Sequence, residues 1–246
     1  MGILSGKVIL VTGASRGIGA AVAIKLAEAG ASVIANYAES KVGAEQVVNT
    51  IREKGGAAIA VKADVSDPQQ VKALFDAAIA EYGKLDVLIN NAGVMFTKMI
   101  KDTTDEDFDW LFNINVKGVF NTLREAASRL ADHGSIINFS TSSNRMLLPG
   151  YAAYVASKAA VEQFTRIFAK EVGGRGINVN SLSPGPTDTE LFTEGKTPET
   201  ISKLASMSAF NRIATPEDIA RIVVFLASDD AKWITAQNIG ANGGVA

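Results

Sequence analysis

Tyr154 and Lys158 stand four residues apart in YAAYVASK, residues 151–158, within a stretch of helical periodicity. On a helix that spacing sets two side chains on one face, about 6 Å apart along the axis. A phenol with its pKa near 10 is a slow proton donor or acceptor at neutral pH, and lowering it by about three units takes roughly 4 kcal/mol. One ammonium about 4 Å away, at an effective dielectric of about 20, supplies about that much. Tyr154 therefore reads as the general acid for reducing a ketone, or the general base for oxidising an alcohol, with Lys158 tuning it. Tyr151 lies on the same face but nearly two turns from Lys158, just after Pro149 and Gly150. It reads better as part of a pocket wall.

A second pattern, TGASRGIG at residues 12–19, carries Gly13, Gly17 and Gly19 between a β-branched run and a helix-period stretch. Glycines there let a pyrophosphate approach main-chain N–H groups at a helix N-terminus, where the partial positive charge favours it. The turn, with Ser15, Arg16 and Ile18, thus reads as a dinucleotide site. A carboxylate ending the second strand would bond a bare ribose and repel a 2′-phosphate. That place holds Asn36, followed by Tyr37 and Ala38, and Arg16 offers a cation to the phosphate. NADPH/NADP+ is expected over NADH, with Glu39 the nearby charge that opposes it.

These residues need a frame, and short β-branched runs alternate with helix-period stretches along the whole chain. KVILVTG, ASVIANY, AAIAVKAD, LDVLINNAG, SIINFSTS, GINVNSLSPGP and AQNIGANGG read as seven strands. Helices are expected through residues 18–29, after Ser66 or Asp67 with Pro68 in the first turn, over an amphipathic stretch at about 105–129, from about 150 to 172, and from Thr215 and Pro216. The fold class is α/β, a doubly wound parallel sheet with helices on both faces. With no linker, repeat or low-complexity tract, residues 1–246 read as a single domain. Residues 188–213 have weak periodicity and many Ser and Thr, which suits a cover over a cleft.

Composition narrows the chemistry. The 24 basic and 26 acidic residues are scattered, so no field invites nucleic acid or an anionic membrane. The absence of cysteine removes thiolate nucleophiles and disulfides, and the lone His133, in the turn-like ADHGS, argues against a zinc site. No apolar stretch approaches the roughly 20 residues that span a bilayer. The N-terminus lacks the features of a secretory signal, and Gly6 breaks the myristoylation pattern. The cytoplasm is the expected location.

With TGASRGIG, NNAG at 90–93, YVASK at 154–158 and PGPTDT at 184–189 in this order, the chain resembles the short-chain dehydrogenase/reductase family over nearly its whole length, and within it the ketone and 3-oxoacyl reductases. The resemblance implies a Rossmann-like fold, a bound NAD(H) or NADP(H), and hydride transfer between nicotinamide and a carbonyl or alcohol. It also implies a tetramer or dimer, with two long helices and the last strand at the contacts. Lys158 would hold the nicotinamide ribose as well as tune Tyr154. Asn115 would be linked to Lys158 by water, with Asn113 structural. Asp64 and Val65 would meet the adenine, and Asn91, Ala92 and Gly93 would flank the adenine ribose. Pro184, Gly185, Thr187 and Thr189 would clasp the nicotinamide end. A related enoyl reductase group uses a tyrosine seven residues before the lysine, but the glycine turn here sides with the carbonyl-reducing group.

The family also places a substrate-binding hydroxyl 12 to 14 residues before the tyrosine. Ser142, at 12, is favoured, and Thr141, at 13, is the alternative. Val94, Met95, Leu147, Leu148, Tyr151, Leu191, Phe192 and Phe210 are candidate cleft liners, and their apolar character suits small alkyl or aryl ketones better than sugars. The main alternative is a 3-oxoacyl-thioester reductase of fatty acid synthesis, which needs a basic patch for an acidic carrier. Only Arg124 and Arg129 offer one. A non-catalytic nucleotide-binding regulator would show a broken tyrosine-lysine pair, and here the pair is whole.

Overall fold

The computed structural model describes residues 2–246. Its strands are β1 Val8–Val11, β2 Ser32–Tyr37, β3 Ala57–Lys62, β4 Val87–Asn90, β5 Ser135–Phe139, β6 Asn178–Pro184 and β7 Asn238–Ala241. They form one seven-stranded sheet in the order β3-β2-β1-β4-β5-β6-β7, every pairing parallel. The helices are α1 Gly17–Glu28, α2 Lys41–Glu53, α3 Pro68–Tyr82, α4 Asp105–Phe112, α5 Gly118–Arg129, α6 Ser143–Met146, α7 Ala152–Val172, α8 Glu190–Thr193, α9 Pro198–Ser206 and α10 Pro216–Ala227.

Alternation along buried strands divides the core in two. Ile9, Val11, Val33 and Ile89 face α1, α2 and α10, where they meet Val22, Val48 and Val223. Val8, Leu10, Ile34 and Leu88 face the other way, onto Leu74 of α3, Leu123 of α5 and Val161 of α7. Strands buried on both faces read as unbroken apolar runs, which is why VILV in β1 shows no polar alternation. The strand order reverses beside β1, because the chain goes on from β1 to β2 on one side and returns through β4 on the other. A crevice opens at the carboxyl ends of such strands, and it receives the glycine turn.

Side-chain caps set several helix starts. Asp67, rather than Ser66, caps α3 by accepting from the N–H groups of Gln69 and Gln70, while Ser66 bonds back to Asp64. Thr215 and Asp218 form a reciprocal capping box on α10, and the Arg212 guanidinium 2.7 Å from Asp218 holds that carboxyl well below the usual range. The stretch at 105–129 is helical with a break, since a π-helical turn at Asn113–Lys117 separates α4 from α5. The segment at 188–213 is more ordered than its weak periodicity suggested. It contains α8 and α9, capped by Thr189 and Thr197.

A buried polar chain ties both central strands to two helices. Thr122 of α5 donates to Asn90 Oδ1, Asn90 donates to Asn138 Oδ1, and Asn138 donates to Thr165 of α7, at 2.8 to 2.9 Å.

Candidate active site

Helix α7 begins right after the Pro149-Gly150 corner, where Gly150 takes φ +85°, and it carries Tyr154 and Lys158 into the cleft above the sheet. Lys158 is buried, and its Nζ donates to the Phe139 carbonyl at the end of β5 at 2.9 Å. A Cβ on Gly93 would lie 3.1 Å from Asn115 Oδ1 and 3.2 Å from Lys158 Nζ, so a glycine is what lets these three groups meet. Asn115 accepts from Val94 N–H and donates to the Val94 carbonyl and to Ser157 Oγ. Its carboxamide thereby fastens the loop after β4 to α7. The π turn brings Asn115 inward to full burial, while Asn113 stays exposed.

The electrostatics depart from the expected depression of the phenol. Burial pushes Tyr154 up to about 12, against a lowering by the Thr141 hydroxyl and with a further rise from Tyr151. Desolvation pulls Lys158 down to about 8. The amine is anchored on Phe139, and Lys158 is not among the groups that shift the phenol. At neutral pH the site therefore holds a protonated phenol and an ammonium.

The two candidate hydroxyls are engaged differently. Ser142 Oγ donates to the Ser183 carbonyl and accepts from Asn242 Nδ2, both at 3.0 Å, and the residue is buried. Thr141, the preceding residue in the turn that follows β5, borders the cleft with Tyr154, and its hydroxyl acts against the upward shift of the phenol. Both residues border the cleft, and of the two only the Thr141 hydroxyl acts on the phenol.

The glycine turn is shaped for close approach. Gly13 takes φ +64°, and a Cβ there would lie 2.9 Å from Ala92 Cα; a Cβ on Gly19 would lie 2.3 Å from the Gly13 carbonyl. Arg16, the residue before α1, makes no side-chain cap, so the first N–H groups of α1 have no such partner. This cradle fits a dinucleotide pyrophosphate. Asn91 donates to the carbonyls of Thr12 and Gly13, and Thr12 Oγ1 accepts from Asn91 and Ala92 N–H, which locks the NNAG segment to the turn. Thr12 was missed in the sequence, although a threonine closing the all-apolar β1 run was its signal.

The end of β2 needs a second correction. Asn36 is buried, spending its carboxamide on Gly13 N–H and on the carbonyls of Val61 and Ala63. It shapes the turn from within. Tyr37 is also buried, and Ala38 is the first exposed residue. Beside them Ser40 caps α2, and a Cβ on Gly43 would lie 2.6 Å from the Ser15 carbonyl, so the α2 start abuts the glycine turn. Arg16 pairs with Glu190 of α8 at 2.7 Å, both side chains about two-thirds exposed. Asp64 is engaged with Ser66, and Val65 packs against Gly118.

Pro184, Gly185, Thr187 and Thr189 line the cleft after β6, with Thr189 also capping α8. Val94, Met95, Leu148, Tyr151, Leu191 and Phe192 line it as expected. Leu147 instead turns out to solvent with φ +53°, and Phe210 borders a neighbouring pocket under the C-terminal strand. Met146 and Leu204 join the lining unforeseen. The spacing of Ile201 and Leu204 was the available signal for the second.

Comparison with known proteins agrees with this arrangement. A family model described as enoyl-(acyl carrier protein) reductase matches residues 13–246. An NADPH-dependent aldehyde reductase-like chloroplastic protein of Arabidopsis thaliana is 46% identical over 255 residues, covering 98% of this chain and 94% of the relative. A versicolorin reductase of Emericella nidulans is 42% identical over 255 residues, covering 98% and 96%. The crystal structure of an angucycline C-6 ketoreductase with bound NADP superposes with a TM-score of 0.94 at 42% identity, covering 99% and 97%.

Proposed function

Since the chain belongs to the short-chain dehydrogenase/reductase family, whose members here are oxidoreductases, we propose that it is an NADPH-dependent reductase of apolar ketones. The observation that carries this reading is that Thr141, Tyr154 and Lys158 line one largely apolar cleft. Thr141 donates to the carbonyl oxygen and orients it. Tyr154 then delivers its proton to that oxygen as negative charge develops there. The chemistry a reduced nicotinamide would supply here, when bound, is the hydride. Lys158, charged below about pH 8 and anchored on the Phe139 carbonyl, would hold the nicotinamide ribose. A phenol pushed up to about 12 stays protonated through the neutral range, which suits reduction better than oxidation.

The NADPH reading rests on Arg16 at the mouth of the glycine turn, on the absence of a carboxylate at position 36, and on the NADPH and NADP in the names of two relatives. An exposed ion pair such as Arg16–Glu190 is worth less than about 1 kcal/mol, so a 2′-phosphate can take the guanidinium. Two relatives are named for versicolorin and angucycline substrates, so fused aryl ketones are the preferred class for this chain. Assembly as a homotetramer or dimer is supported by exposed Phe120 on α5, Ile167 on α7 and Trp233 beside the free edge of β7. No helix among the described residues is long and apolar enough to cross a membrane, and we keep the cytoplasm as the site of action.

The test is NADPH consumption with aryl ketones, diketones, 3-oxo esters, 3-oxoacyl thioesters and sugars, for the wild type and Tyr154→Phe. Aryl ketones are expected to react fastest. The variant should lose about 10²-fold or more in turnover, while its NADPH Kd stays within about twofold. Undiminished turnover in Tyr154→Phe refutes the assigned acid.

A further inference from the structure

Along one side of α7, Glu162 follows Tyr154 and Lys158 at another four-residue step. It touches neither the phenol nor the amine by any hydrogen bond, and it serves the turn that follows β5. Its Oε1 accepts from Ser140 Oγ at 2.6 Å and from Asn144 Nδ2 at 2.6 Å, and Asn144 Nδ2 also reaches Ser140 Oγ at 3.3 Å. Ser140 is buried, and the buried Asn144 Oδ1 finds no partner among the described residues. The Asn144 side chain is thus held at its nitrogen end only. Thr141 sits between these anchors and Ser142, which Ser183 and Asn242 fix from the other side. Its Oγ1 accepts from Ser143 N–H at 3.2 Å within the same turn.

We propose that Glu162 is a positioning residue: from α7 it holds the Ser140 to Asn144 turn so that the Thr141 hydroxyl meets the carbonyl oxygen beside Tyr154. This rests on the ketone-reductase reading above. A carboxylate is suited to the task because it only accepts, and a charge-assisted bond to each donor is stronger than a neutral one. The helix that carries the proton donor thereby also sets the position of the substrate-orienting hydroxyl. A displacement of about 1 Å in such a group can cost about 10²-fold in rate.

The experiment compares Glu162→Ala and Glu162→Gln by steady-state kinetics with NADPH and an aryl ketone, cofactor titration by fluorescence, and the pH dependence of kcat. Glu162→Ala is expected to lose about tenfold or more in kcat, with the NADPH Kd and the pH profile unmoved. Glu162→Gln keeps an acceptor oxygen and should recover kcat to within about threefold of wild type. An alanine variant with kcat within about twofold of wild type overturns the inference. So does a glutamine variant as slow as alanine with a displaced pH profile, because charge and not placement would then be the operative property. If Glu162→Ala does not fold, Ser140→Ala and Asn144→Ala each remove one donor, and normal kcat in both overturns the inference. A wild type inert toward every ketone overturns the functional reading itself, which is a separate outcome.

Discussion

Lys158→Met should give a protein that is more stable and inactive. Lys158 is 5% exposed, and desolvation draws its amine from 10.5 to about 8. At about 1.36 kcal/mol per pH unit, keeping that amine charged costs the native state roughly 3 kcal/mol. The sign follows from proton counting. Between pH 8 and 10.5 the unfolded chain holds the proton and the folded chain does not, so stability rises with pH across that window and the cost is full below it. Methionine fills similar space without charge, but leaves the Phe139 carbonyl short of a donor, a loss of about 1 kcal/mol. The variant should therefore exceed wild type by about 2 kcal/mol at pH 7, and the gap should close near pH 10. Urea unfolding at pH 7 and pH 10, with m compared between the two proteins, measures it. A variant no more stable than wild type at pH 7, or a gap that fails to narrow at pH 10, refutes the reasoning.

Three further outcomes are expected. Thr141→Ala should lower kcat about 10²-fold with little change in Tm, whereas Ser142→Ala should lower kcat less and Tm more, since it strips partners from Asn242 and Ser183. Kinetics and thermal melts in the opposite order would restore Ser142 as the substrate hydroxyl. Arg16→Ala should raise the KM for NADPH about tenfold and leave that for NADH unchanged, and an equal rise for both cofactors would remove Arg16 from the phosphate site. Gly13→Ala, forced to φ +64° with its Cβ 2.9 Å from Ala92 Cα, should cost more than about 1 kcal/mol and weaken both cofactors alike. Denaturant titration and cofactor binding equal to wild type would show that the turn tolerates a side chain.

The strands and long helices were legible because each is a local pattern. Both-sided burial writes β1 as VILV, and Asp67 with Pro68 writes the start of α3. The Tyr154 and Lys158 pairing was legible for the same reason, as helical spacing fixes a shared face. What failed was the direction of short side chains. Thr141 and Ser142 are adjacent hydroxyls at the mouth of a strand, and only the backbone path of the turn decides which one meets the phenol. Asn36 holds the strand-end place expected to border the cofactor, yet the carbonyls of Val61 and Ala63, distant in sequence, draw its side chain inward. The π turn was invisible because one extra residue per turn leaves the apolar periodicity on each side intact. The opposed shifts of Tyr154 and Lys158 depend on burial, which spacing does not encode.

The hydrogen-bonded quartet of Asn90, Thr122, Asn138 and Thr165 constrains how this chain can change. Replacing one member by an apolar residue strands a buried partner at about 1 to 3 kcal/mol, while replacing all four together can be nearly neutral. Stepwise replacement within the quartet is therefore penalised, and crossovers with homologues should be tolerated where they leave it whole. A chimera joined between β4 and α5 would split it, unless both parents carry the same four side chains.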